Sequence, residues 1–151
     1  MLFEDQATVR AGGPVFDYLN GSAAGDAGGR SRHEVEAQAG LTRGGLGARL
    51  TATWRSGTTV TGGALSSTGD LTFSDLTTVN LRLFADLGQQ RELIRRHPWL
   101  RGSRVTLAAE NLFGQRTEVR DAAGRTPIGY QPAYLDPEGR ILRLSFRKVF
   151  F

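Results

Sequence analysis

The sequence has no cysteine, so neither disulfides nor thiolate metal sites organise it. It has no run near the roughly 18 apolar residues that a membrane helix requires. With 39% hydrophobic residues and a mean hydropathy of −0.30, an α-helical membrane protein is excluded. Met1-Leu2-Phe3-Glu4-Asp5-Gln6-Ala7 carries neither a basic n-region nor an apolar h-region, so no signal peptide is expected at this end. Catalytic patterns are lacking too. His33 and His97 have no cysteine or carboxylate partner at a metal-ligand spacing, and both read as solvated. Glu34 and Glu36 lie about 7 Å apart along an extended chain, a separation glycosidases also use, but a same-strand pair on one wall is the simpler reading. There is no Gly-x-Ser-x-Gly elbow, and Gly45-Leu46-Gly47 lacks the third glycine of a dinucleotide fingerprint. The expectation is a non-enzyme with no catalytic residue, cofactor or metal. A net charge of +4 and a pI near 10.3 raise the question of nucleic acid, but the charges alternate with apolar residues instead of forming a basic stripe, so no nucleic-acid partner is expected.

What the chain does have is glycine and alternation. Twenty glycines in 151 residues suit one turn-rich β-domain. About six strands follow from period-two patterns. Leu2 to Arg10 sets Phe3, Ala7 and Val9 against Glu4, Gln6, Thr8 and Arg10, and leads into a long loop, Ala11 to Arg30, marked by Pro14, Gly21 and Gly25. Arg32 to Thr42 and Leu46 to Ser56 flank Gly44-Gly45, a tight hairpin by its glycines. After an open loop from Gly57 to Asp70 comes a long strand, Leu71 to Leu87, in which Phe84 is an exception on the polar parity. A connection from Gly88 to Arg101 precedes strand five, Ser103 to Phe113, and a third long loop, Gly114 to Gly139, delivers the chain to Arg140–Phe151.

Half-apolar alternation suits a β-sandwich or a membrane barrel, and three features favour the barrel. Several runs reach the roughly 9–11 residues that cross a bilayer at a tilt, against a usual strand of about 5–6. The connections after strands one, three and five are long while that after strand two is a bare Gly-Gly, the asymmetry of bacterial barrels; the connection after strand four is longer than that rule allows. Aromatics (Phe3, Trp54, Phe73, Phe113, Phe150) fall near strand ends, as an interfacial girdle places them. In this reading Arg10, Arg32, Glu34, Glu36, Arg49, Arg55, Arg82, Arg104, Glu110, Arg143 and Arg147 line a lumen, where both signs permit cross-strand ion pairs.

The last stretch carries most information. Leu142, Leu144, Phe146 and Phe150 share one face and Arg143, Ser145 and Arg147 the other, with Lys148 placed to snorkel. This ending, together with Asn111-Leu112-Phe113-Gly114, Gly129-Tyr130-Gln131-Pro132-Ala133-Tyr134-Leu135-Asp136-Pro137, Gly139-Arg140 and Arg147-Lys148-Val149-Phe150, resembles the last two strands and intervening external loop of TonB-dependent receptors.

The resemblance implies an antiparallel meander of about six transmembrane strands, residues 1–151 being the C-terminal portion of a large up-and-down outer-membrane β-barrel. It implies an outer-membrane receptor that imports a scarce ligand such as a siderophore, cobalamin or a glycan. Leu142, Leu144, Phe146 and Phe150 would carry the signal read by the barrel-assembly machinery, Phe151 being an extra residue, and Tyr130, Gln131 and Tyr134 would lie in an external loop. Its partners would be the outer-membrane bilayer, the remaining strands and plug of the same receptor, and the TonB complex reached through an N-terminal part. The plug and signal peptide are expected upstream, which reconciles the destination with the missing leader. Alternatives are a small outer-membrane protein forming an oligomeric pore and a soluble β-rich binding or adhesion domain.

Overall fold

A computed structural model of the chain describes residues 1–8, 10–13, 15–23, 28–62 and 69–150. Val9, Pro14, Gly25 and Phe151, which entered the expectations above, lie outside the described residues. The strands are β1 (Gln6–Thr8), β2 (Val15–Asp17), β3 (Glu34–Arg43), β4 (Leu46–Arg55), β5 (Thr58–Val60), β6 (Leu71–Phe73), β7 (Leu76–Asp86), β8 (Ser103–Glu110), β9 (Val119–Asp121) and β10 (Ile141–Lys148), with short helices α1 (Arg91–Arg96) and α2 (Pro132–Leu135). The class is all-β with antiparallel sheets. The chain forms two compact units: the first is Met1–Val35, Thr53–Thr77 and Gln115–Gly139, the second Glu36–Ala52, Thr78–Gly114 and Arg140–Phe151.

The second unit holds most of a five-stranded sheet in the order β10-β8-β7-β4-β3. Because the long strands neighbour one another in chain order, the sheet is an up-and-down meander, and its outer strands β3 and β10 each have one unpaired edge. Gly44 and Gly45 take φ 55° and 80°, the positive values a two-residue hairpin turn needs. The β8–β7 ladder ends in a bulge. Leu81 faces Ala109, so Val79 would face Asn111, yet the Val79 carbonyl accepts from Leu112 N at 2.7 Å. Asn111 absorbs the extra residue at φ 47°, a conformation asparagine tolerates, and the Asn80 carboxamide oxygen accepts its N–H at 2.9 Å.

The first unit has a conventional core. A three-stranded sheet, β5-β6-β9, buries Leu71, Phe73 and Val119, and Val60, Tyr130 and Leu135 pack against them. The rings of Phe73 and Tyr130 meet edge-to-face at 5.8 Å. β1 and β2 form a separate hairpin. At its end, the Asp17 carboxylate is held below its ordinary range, chiefly by the Asn20 side chain and also by backbone N–H groups of Leu19 and Asn20.

Three expectations need correction. Leu2 to Arg10 is not a long strand: among its described residues the strand is Gln6–Thr8, and its partner is Val15–Asp17 from the supposed loop. Arg10 sits in a turn closed by its own carbonyl on Gly13 N. Leu71 to Leu87 is two strands, broken at Ser74 and Asp75, where Ser74 exchanges hydrogen bonds with Glu118 and the Asp75 carboxylate accepts from the Trp54 indole at 3.0 Å. The long loops are also structured, carrying β5, β9 and α2, while the connection after β7 contains α1 and a turn at Pro98–Leu100. Polar side chains mark the break at Ser74 and Asp75, whereas the segments expected as open loops pack Val60, Val119, Tyr130 and Leu135 on the apolar core of the three-stranded sheet.

Candidate functional site

The most unusual surface is the apolar face of the five-stranded sheet. Residues opposed in antiparallel strands point to the same face. Three rows therefore run across β10, β8 and β7: Leu142–Ala109–Leu81, Leu144–Leu107–Leu83 and Phe146–Val105–Ala85. The face continues over β4 and β3 through Leu46, Ala48, Leu50 and Leu41, whose opposite parity is fixed by a hydrogen bond from Gln38 to Thr51 on the other side. Leu41, Leu46, Leu50, Leu83, Leu107, Leu142, Leu144 and Phe146 are between 39% and 74% exposed. Full burial of such a side chain is worth about 1.5–3 kcal/mol, so on the order of 10 kcal/mol is left ungained, comparable to the whole stability of a domain. Contiguous apolar patches of this kind mark interaction or membrane surfaces. A shallow concavity of about 700 Å³ lies on this face between Leu41, Leu46, Leu83 and Leu107.

The opposite face is charged. Glu36, Arg49, Arg82, Arg104, Glu110, Arg143 and Arg147 share it by parity, and ion pairs cross it between Arg143 and Glu110 (2.7 Å) and between Arg104 and Asp86 (3.4 Å). Both pairs are partly exposed and worth at most about 1 kcal/mol each. Arg147 stands directly opposite Arg104, a like-charge neighbour that Asp86 at the end of the row offsets. Among the described residues Arg49, Arg82 and Arg147 have no carboxylate partner.

Phe84, the exception to the alternation, is explained here. A β-carbon on Gly47 would lie 2.2 Å from the Phe84 ring, so the ring occupies the space that glycine leaves on the adjacent strand. The Arg104 guanidinium lies 5.4 Å from the centre of the same ring. An aromatic covering a strand glycine restores packing that glycine forfeits.

The remaining predicted site residues fall elsewhere. Arg32 precedes β3 and donates to the Asn20 side chain, so it is not on the charged sheet face. Glu34 and Arg55, at the ends of β3 and β4, belong to the first unit and line a cavity of about 690 Å³ there. Arg30, Arg116 and Asp136 line it too, a grouping that no spacing in the sequence announces. Arg30 is paired with Asp5 at 2.9 Å, and Arg116 donates to the Asp136 carbonyl at 3.0 Å. Tyr130 is in the Phe73 core, Gln131 donates to the Thr126 carbonyl at 3.4 Å, and Tyr134 is exposed. Leu142, Leu144 and Phe146 stand on the apolar face, and Phe150 follows β10, 82% exposed.

Among the described residues no helix is long and apolar enough to cross a membrane, which says nothing of strands. No cluster of three or more candidate metal ligands occurs among them. No family model, no curated protein and no solved structure matches the chain.

Proposed function

We propose that the chain is the C-terminal part of a TonB-dependent receptor barrel of the bacterial outer membrane, which imports a scarce ligand such as a siderophore, cobalamin or a glycan. The observation that carries this reading is the contiguous apolar sheet face, exposed among the described residues. In hydrocarbon that face meets lipid, and the charged face becomes the inner wall, where ion pairs offset the arginine excess. The up-and-down order of the strands supports it, since large membrane barrels are built this way. So does the gathering of alternate connections into one compact unit, because external connections in such barrels are long and carry ligand contacts. The cavity beside Arg30, Arg55 and Arg116 is where those contacts would be sought.

The unpaired edges of β3 and β10 set the requirement for partners. Open backbone groups in hydrocarbon cost several kcal/mol each, so further strands of the same receptor must close the sheet. The plug and the segment that engages the TonB complex lie in the rest of that receptor, and the assembly machinery reads Leu142, Leu144, Phe146 and Phe150. The chain by itself, refolded into detergent, is expected to aggregate. A monomeric, heat-modifiable, protease-resistant band would contradict the need for further strands. A discrete ion-conducting oligomer would favour a second reading that the two free edges also permit, a pore closed by copies of this chain.

A further inference from the structure

The connection from β7 to β8 is too long for a short periplasmic turn, and its content suggests a use. Residues 87–102 are ordered: Gln90 donates to the Gly44 carbonyl at 2.5 Å, Leu100 is buried, and Gly102 O accepts from Val149 N at 3.0 Å. Leu93 and Ile94 of α1 are half-buried, which leaves Arg91, Arg95, Arg96 and, beyond the turn, Arg101 exposed. Only one carboxylate, Glu92, accompanies these four guanidiniums, and it pairs with Arg95 at 2.5 Å. Trp99 is 60% exposed, and the Lys148 ammonium lies 5.5 Å from its ring and 5.1 Å from that of Phe150 while donating to the Trp99 carbonyl.

We infer that this connection, with Lys148 and Phe150, is an interfacial foot that binds anionic phospholipid headgroups. The inference rests on the membrane reading of the apolar face and adds to it a lipid class and a site. Exposed tryptophan and phenylalanine beside a lysine ammonium are the chemistry of the headgroup boundary, and the net positive charge of the foot complements lipid phosphates. The foot issues from the strands whose residues Ala85 and Val105 end the apolar face, so apolar surface and basic rim are continuous. Nucleic acid is disfavoured because the two exposed aromatics of the foot, Trp99 and Phe150, are both engaged by the Lys148 ammonium, where a single strand needs rings free for stacking.

The chain has two tryptophans, so the full chain carrying Trp54→Phe reports from Trp99 alone. Because the chain alone is expected to aggregate, it is diluted from urea onto preformed mixed vesicles of phosphatidylcholine and phosphatidylglycerol, with brominated acyl chains on one lipid or the other, and only protein that floats with the vesicles is read. Trp99 quenching should favour brominated phosphatidylglycerol by at least about fivefold, the change in partition that a single basic residue near an anionic surface is worth. Adding Arg91→Gln, Arg95→Gln and Arg96→Gln should bring the preference to within about twofold, and Arg82→Gln with Arg147→Gln should leave it unchanged. Equal quenching by both lipids, or equal loss from the control pair, overturns the foot while the membrane reading stands. Quenching by neither lipid overturns both. An oligonucleotide that displaces the vesicles overturns the lipid assignment.

Discussion

Val119 in β9 is fully buried and Leu144 in β10 is 74% exposed, although both are branched aliphatic residues at alternating strand positions. The difference lies in what their sheets are given to pack on. In the first unit Val119 has Leu71 and Phe73 beside it and Val60, Tyr130 and Leu135 to complete a core. In the second, Leu144 opens a row with Leu107 and Leu83 that stays exposed among the described residues. One region therefore removes its apolar surface from water by its own folding, and the other leaves its apolar surface exposed. Residue type alone is similar for both, so what distinguishes them is whether neighbouring segments supply a second layer.

That contrast can be broken at either end. The largest effect is expected from Phe73→Ala, which empties the first unit's core and leaves Tyr130 without its ring partner. A loss of about 3–5 kcal/mol should appear in denaturant unfolding and in faster hydrogen exchange at Val119. A loss below about 1 kcal/mol would mean that the first unit is no better packed than the second.

Next comes the sheet. In the membrane-assembled receptor Leu107→Arg should cost about 2–4 kcal/mol, seen as reduced outer-membrane levels, whereas Thr106→Arg, one residue away on the charged face, should be tolerated. Asn80, also on that face, makes a poor control because its side chain holds the Asn111 bulge. Equal effects at Leu107 and Thr106 would show that the two faces are not chemically distinct environments.

A smaller effect tests the join between strands on the charged face. Gly47→Ala drives a β-carbon into the Phe84 ring and should cost about 1–3 kcal/mol, and adding Phe84→Leu should recover much of it. If the single and double variants melt alike, the ring is not seated on the glycine.

The sequence made the sheet legible to the extent that parity could. The hairpin at Gly44-Gly45, the faces of β3, β4, β7, β8 and β10, and the meander order follow from alternation and turn residues. Chain breaks driven by single side chains did not follow. Ser74 and Asp75 split a run whose alternation lapses there, with Asp75 and Thr77 on the apolar parity and Leu76 on the polar one, and Glu118 and Trp54 capture the polar groups of Ser74 and Asp75 from distant segments. The loops hid β5, β9 and α2 because three- and four-residue elements have no periodicity to read. Of the predicted charged wall, Glu36, Arg49, Arg82, Arg104, Glu110, Arg143 and Arg147 share one sheet face, whereas Arg32, Glu34 and Arg55 belong to the other unit, where strand ends give way to local contacts. Phe84 looked like a flaw in the pattern and is instead the partner of a glycine on the next strand.

The central claim is that the uncovered face of the sheet meets hydrocarbon. Because the chain has no cysteine, single cysteines at Leu144 and Ser145 can be spin-labelled without background in the assembled receptor. Collision with oxygen, which concentrates in lipid, should dominate for the label at 144, and collision with a water-soluble nickel chelate should dominate for the label at 145. The reverse order, or nickel accessibility at both positions, would contradict the account.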